Sequence, residues 1–290
     1  MNPYQPGALL DGKYEVQRSL ASGGMGSVYL VRHLHLDELR VVKVLRQDIA
    51  TDEVHRKRFL REARLATQIK HPNVAILYDF SQLAEGSFYM VWEYVDGAEV
   101  ASELAERGPF PVPLAIELGI QALRGLETIH SAGMIHRDLS PDNLMLTRDL
   151  RGKPRIKIID LGLAKHLAPD PNFEITQAGT FMGKLRYCSP EQADSGSENL
   201  DRRTDLYSLG LVLYEMICGL SPFEQGDRPA FVFQRLTSKP LALSGRNPAV
   251  EVPPDLDRAV LRALERDRDQ RYPDAIRFIE ALERVAAALG

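Results

Sequence analysis

Hydrophobic periodicity changes character once along this chain, near Gly97, and that change limits the folds open to it. From residue 14 to about residue 94 the apolar runs are short, rich in Val, Leu and Tyr, and separated by glycine-rich or polar breaks, which predicts a small antiparallel sheet. One helical stretch interrupts it: Phe59, Leu60, Ala63, Ala66 and Ile69 recur at helical spacing, and His71-Pro72-Asn73 ends the run. Beyond Gly97, apolar stripes predict helices over 113–132, 204–219, 255–266 and 273–289. Residues 133–163 read as loops alternating with short strands, and 164–203 as polar and irregular, which compact domains keep for function or leave disordered. A β-rich part before an α-rich part gives the α+β class. The expected layout is an N-terminal extension over 1–13, a smaller lobe with an antiparallel sheet and one helix over 14–95, and a larger, mainly helical lobe over 96–290.

Composition narrows the function. With 290 residues, 44% of them hydrophobic, the chain can bury a sizeable core, and 36 basic against 40 acidic residues give a net charge of −4. That balance supplies no global basic field for nucleic acid or an anionic membrane. The run His55-Arg56-Lys57-Arg58 shares its helix with Glu53 and Glu62 and reads as a solvated face. Cys188 and Cys218 are too few for a disulfide framework, and neither looks like a metal ligand. The first ten residues lack the pattern of a targeting signal, and no window approaches the roughly 18–20 apolar residues of a membrane span. The expectation is a soluble cytoplasmic chain, or the cytoplasmic part of a longer membrane-anchored protein.

The chemistry sits in a few motifs. Ala21-Ser22-Gly23-Gly24-Met25-Gly26-Ser27-Val28 lies between apolar runs, and such a turn lets backbone N–H groups approach phosphate oxygens; alone it reads better as an ordinary hairpin turn. Alternation along Arg40-Val41-Val42-Lys43-Val44 puts Val41 and Lys43 on one face, so an ammonium can reach phosphates under that turn, although a lone strand lysine is usually just solvated. Glu62, flanked by apolar positions, either turns inward toward Lys43 or faces water. The odds shift with His136-Arg137-Asp138-Leu139-Ser140-Pro141-Asp142-Asn143, followed at Asp160-Leu161-Gly162 by an acidic residue ending an apolar strand. Asp138, Asn143 and Asp160 then form a set able to serve as a base and hold a metal.

Together these segments resemble the eukaryotic-type protein kinase superfamily, and most of all its bacterial serine/threonine (Hanks-type) members, over about residues 14–289. Each signature element of that family has a counterpart in the right order, the last being Ser189-Pro190-Glu191. Asp205-Leu206-Tyr207-Ser208-Leu209-Gly210 is similar to the family's buried helix start, and Arg271 lies where an arginine pairs with the glutamate at 191. The resemblance implies a two-lobed kinase fold, ATP as phosphoryl donor, and Mg²⁺, with Mn²⁺ as a substitute, held by Asn143 and Asp160. It also implies that Lys43 binds the α- and β-phosphates and pairs with Glu62, and that Asp138 orients the substrate hydroxyl and accepts its proton. Tyr89-Met90-Val91-Trp92-Glu93-Tyr94-Val95 resembles the hinge, with Glu93 and Val95 at the adenine edge. Leu20, Val28, Val41 and Met145 would lie against the adenine faces, Gly23 and Gly26 near the phosphates, and Glu99 at the ribose. The implied partners are protein substrates and the chain itself, autophosphorylated in a transient homodimer, with no nucleic acid and no membrane contact in this segment.

Departures from the pattern matter too. Ala21 replaces the first loop glycine and Leu161 the Phe of the DFG motif, both mild exchanges. Trp92 fills the gatekeeper position, and the small Ala66 one helical turn after Glu62 could leave the volume its indole needs. Ser140 stands where these kinases carry a lysine near the γ-phosphate, while Lys184 stands where they carry a threonine that reaches that lysine. The exchange suggests that Lys184 supplies the missing charge; an exposed loop lysine is the plainer alternative. Arg137 beside Asp138 is the family's mark of regulation by phosphorylation, with Thr176 and then Thr180 as the acceptors. A pseudokinase that binds ATP as a scaffold, a small-molecule phosphotransferase and tyrosine specificity are the competing readings.

Overall fold

The computed structural model describes residues 4–23, 26–46, 53–162, 186–194, 200–223, 234 and 236–289, with backbone only at 53–56 and 58. The chain divides into two compact units, residues 1–96 with 162–181, and residues 97–161 with 182–290.

The first unit is built on β1 (Leu9–Leu10), β2 (Tyr14–Gly23), β3 (Gly26–His33), β4 (Glu38–Leu45), β5 (Leu77–Gln82) and β6 (Phe88–Glu93), with α1 (Glu53–Ala66) between β4 and β5. Its antiparallel sheet runs β1-β2-β3-β4-β6-β5. Strand alternation gives the sheet two different faces. Tyr29, Val31, Val42, Val44, Tyr89 and Val91 turn one way, into a core with Leu10, Tyr14 and Val16. Registers pairing Val28 with Lys43, Lys43 with Met90 and Val41 with Trp92 place all five of those residues on the other face. On that same face Phe88 stacks on Phe80 at 5.3 Å, and Phe59 of α1 meets Phe80 edge-on at 5.2 Å. Aromatic packing therefore lays α1 over the face that carries Lys43. The N-terminal residues are part of this unit: β1 pairs with β2, and Tyr4 packs edge-on against Tyr29 at 5.7 Å.

The second unit carries a three-stranded antiparallel sheet of β7 (Ala98–Glu99), β8 (Leu144–Arg148) and β9 (Pro154–Ile158). Its helices are α2 (Val100–Arg107), α3 (Val112–Ser131), α4 (Pro190–Ala193), α5 (Arg203–Cys218), α6 (Leu243–Arg246), α7 (Pro254–Ala263) and α8 (Ala275–Leu289). Fourteen of the sixteen residues of α5 are buried, all but Arg203 and Glu215, so this helix is the axis of the unit rather than a surface element. Gly119 permits the close approach of α3: a Cβ there would lie 3.2 Å from a methyl group of Leu213. No helix among the described residues is long and apolar enough to cross a membrane.

Candidate active site

In the first unit the glycine-rich segment is the β2–β3 hairpin, with Gly23 paired to Gly26; Gly24 and Met25 lie outside the described residues. Gly26 has φ +149°, and a Cβ on it would sit 2.0 Å from the Val44 carbonyl oxygen, so no other residue fits without moving β4. Ala21 is exposed, pairs with Val28 just past a register shift in β2, and does not have a positive φ, so a methyl group is accommodated there. Leu20 is 39% exposed, and Val28, Val41 and Lys43 are half-buried on their shared face. Glu62 follows Phe59 by three residues and so lies on the side of α1 turned to that face, again half-buried. Trp92 and Ala66 are both buried. The Glu93 amide donates to the Ile76 carbonyl at 2.8 Å and its Oε2 accepts the Ile76 amide at 3.1 Å, which fixes the end of β6 just before the half-buried Val95.

The second unit brings Asp138, Asn143 and the base of Asp160 together. Pro141–Asn143 forms one turn of 3-10 helix, and Asn143 Nδ2 donates to the Asp138 carbonyl at 2.6 Å and to its carboxylate Oδ2 at 3.3 Å. The Ile159 amide donates to the Asn143 carbonyl at 2.9 Å, so Asp160, at φ +51°, begins one residue from that tie. Asn143 Oδ1 makes no hydrogen bond among the described residues. Ser140 is 1% exposed, and its hydroxyl has no hydrogen-bond partner among the described residues. Met145 pairs with Glu99 across β7 and β8. Burial and then the nearby Asp142 carboxylate raise the Glu99 carboxyl above its ordinary range.

Behind this loop lies a buried acceptor. Asp205 is fully buried at the start of α5, where its Oδ1 accepts the Arg137 amide and its Oδ2 the His136 amide and His130 Nε2, each at 2.8 Å. Burial alone would raise that carboxyl, but the His130 hydrogen bond, helped by the two imidazoles and the His136 amide, holds it below its ordinary value. His136 in turn accepts the Asp138 amide on Nδ1 at 3.3 Å and reaches the Ile159 carbonyl with Nε2 at 3.2 Å. Arg137, with φ +62°, is thus held by its neighbours in a left-handed conformation.

The expected pairing of Arg271 with Glu191 is present. Arg271, 2% exposed, donates from two nitrogens to the two carboxylate oxygens of Glu191, each at 2.8 Å, and Thr204 adds a third hydrogen bond at 2.8 Å. Lys184, Thr176 and Thr180 lie outside the described residues. Sequence reasoning missed two participants, His130 and Gln192. His130 ends an apolar stripe and reads there as an ordinary helix-end residue, while Gln192 stands three residues after Ser189, a capping-box spacing that announces a helix start but not the reach of its amide to the Arg137 carbonyl.

A family model described as protein kinase domain matches residues 14–280. Among curated relatives, serine/threonine-protein kinase pkn3 of Myxococcus xanthus is 36% identical over 280 residues, which is 96% of this chain and 51% of that protein. Serine/threonine-protein kinase PknB of Mycolicibacterium smegmatis is 39% identical over 280 residues, 95% of this chain and 43% of that protein. The chain therefore spans about half or less of the length of these relatives. Among solved structures, the PknI kinase domain of Mycobacterium tuberculosis is similar with a TM-score of 0.72 and 27% identity, covering 97% of this chain and 99% of that one.

Proposed function

The chain belongs to the protein kinase family, and from that premise we propose that it transfers the γ-phosphate of ATP to serine or threonine hydroxyls of proteins, its own activation segment included. Its fold is the α+β fold of protein kinase domains. The observation that carries the proposal is the Asp138–Asn143 pair, tied to the backbone before Asp160 and supported from below by Asp205.

In this proposal Asp138 orients the attacking hydroxyl and takes its proton, and Lys43 fixes the α- and β-phosphates with Glu62 as its partner. Asn143 fits a hard divalent cation, because its amide nitrogen is engaged by Asp138 and its Oδ1 is left for a ligand; Asp160 supplies a second oxygen donor. When bound, Mg²⁺, or Mn²⁺ in its place, neutralises charge on the phosphate oxygens. By the family resemblance, Leu20, Val28, Val41 and Met145 are the residues proposed to meet adenine, Gly23 and Gly26 the phosphates, Glu93 and Val95 the adenine edge and Glu99 the ribose. Thr176 and Thr180 are the proposed sites of self-phosphorylation, reached in a transient homodimer.

Intact mass before and after incubation with Mg-ATP, beside Asp138→Asn, tests the proposal. Added phosphate on Thr176 or Thr180 in the wild type alone is the expected result. A chain that binds ATP yet gains no mass and phosphorylates no generic protein substrate would instead be a nucleotide-binding scaffold.

A further inference from the structure

Gln192 makes a connection that none of the reaction roles above uses. It is the third residue of α4, and its side chain works in two directions. Its Oε1 accepts the Ser189 amide at 3.0 Å, while the Ser189 hydroxyl accepts the Gln192 amide at 3.4 Å, a reciprocal cap on α4. Its Nε2 donates to the Arg137 carbonyl at 2.9 Å. Capping requires only the acceptor, so the second bond is extra to the stability of the helix.

That carbonyl belongs to the peptide group linking Arg137 to Asp138. The N–H of the same group is held by His136 Nδ1 at 3.3 Å, and the preceding N–H, that of Arg137, by Asp205 at 2.8 Å. The plane that sets the direction of the Asp138 side chain is therefore pinned at both poles, and the pin on its oxygen comes from α4. Arg137 sits at φ +62°, where a residue bearing a Cβ stays only when its surroundings hold it. Losing the Gln192 bond frees the plane to rotate and turns the Asp138 carboxylate off its 3.3 Å contact with Asn143 Nδ2.

We infer that Gln192 is a positioning residue: it ties the end of the segment that carries Ser189 and Glu191 to the orientation of the catalytic Asp138, so that movement of one is transmitted to the other through a single hydrogen bond. This rests on the kinase reading, in which Asp138 is the base.

Two variants of the full chain separate this role from simple capping. Gln192→Glu keeps the acceptor for the Ser189 amide but lacks a donor at neutral pH; Gln192→Met lacks both. The assay follows a serine-containing peptide with Mg-ATP, with phosphorylation state matched by mass. Both variants are expected to lose about tenfold or more in kcat, the effect of one buried hydrogen bond that aims a reacting group, with KM for Mg-ATP unchanged. A carboxylate in Gln192→Glu would face the Arg137 carbonyl, acceptor against acceptor, which raises its pKa above the ordinary value of about 4.3; its deficit relative to wild type should therefore narrow as pH falls from about 7.5 to about 5.5 and a donor returns, while that of Gln192→Met should not. Wild-type kcat in Gln192→Glu at neutral pH would overturn the inference and leave capping alone. A wild-type chain that transfers no phosphate in the same assay would overturn the kinase reading, and the inference with it.

Discussion

Ser140 shows how one residue can remove a charge without disturbing a loop. Its side chain is buried and its backbone carbonyl accepts the Asn143 amide at 3.0 Å, so the turn that holds Asn143 needs residue 140 for its backbone, not for an ammonium. A hydroxyl cannot neutralise a transferring phosphate. Residue 184, a lysine where threonine is expected, is the replacement that the family pattern suggests. If Lys184 supplies that charge, Lys184→Met should lower kcat by about a hundredfold, corresponding to roughly 3 kcal/mol of transition-state stabilisation, with little change in melting temperature. Steady-state kinetics on protein matched for phosphorylation decides it, and a rate within twofold of wild type would leave Lys184 as a solvated loop residue. Restoring lysine at 140 in that background should recover activity only if the two positions do the same work.

Among the elements, α4 is sensitive to acid through its carboxylate. The Glu191 carboxyl is depressed below its ordinary value of 4.5: burial pushes it up, but the bidentate Arg271 guanidinium and the Thr204 hydroxyl outweigh that. A lowered folded pKa means that the pair contributes its full stability above about 4.5 and loses it as pH falls through the depressed value. Thermal melts across that window should therefore fall more steeply for wild type than for Arg271→Met, which is expected to cost about 3–5 kcal/mol at neutral pH by stranding a buried carboxylate. Parallel slopes would show that other carboxylates, Asp205 first among them, set the acid limit. The pairing was legible in the sequence because both partners fall in recognisable segments. Other elements were not. Helix α2 was missed because Val100 is its only buried residue, which leaves no apolar stripe to read. The helix expected over 255–266 ends at Ala263, and the Arg268–Gln270 turn follows, which brings Arg271 back to Glu191; apolar Leu264, 1% exposed, extended the stripe beyond the helix itself. Strand β1 is two residues long and owes its existence to pairing with β2, which no local pattern announces. The catalytic and metal-holding candidates were legible because they come in fixed short spacings, whereas the supports His130 and Gln192 act on residues 75 and 55 positions away.

At the scale of the whole molecule, the proposed nucleotide roles are divided. Lys43 and Glu62 belong to the first compact unit, Asn143 and Asp160 to the second. A ligand that binds only the folded chain raises its stability by an amount set by concentration over Kd, about 2.7 kcal/mol at a hundredfold excess. For a chain of this size that corresponds to a melting shift of roughly 5–10 °C. Mg-ATP is therefore expected to raise the melting temperature of wild type and of Asp138→Asn alike, since the role proposed for Asp138 is on the acceptor hydroxyl rather than on the nucleotide. Lys43→Met and Asp160→Asn should each abolish most of the shift, the second also making it insensitive to Mg²⁺. If Lys43→Met keeps the full shift while Asp160→Asn loses it, nucleotide is held by the second unit alone, and the role given to Lys43 falls. A shift in both variants equal to that of wild type would place the nucleotide elsewhere on the chain and remove the ground for reading these four side chains as one catalytic set.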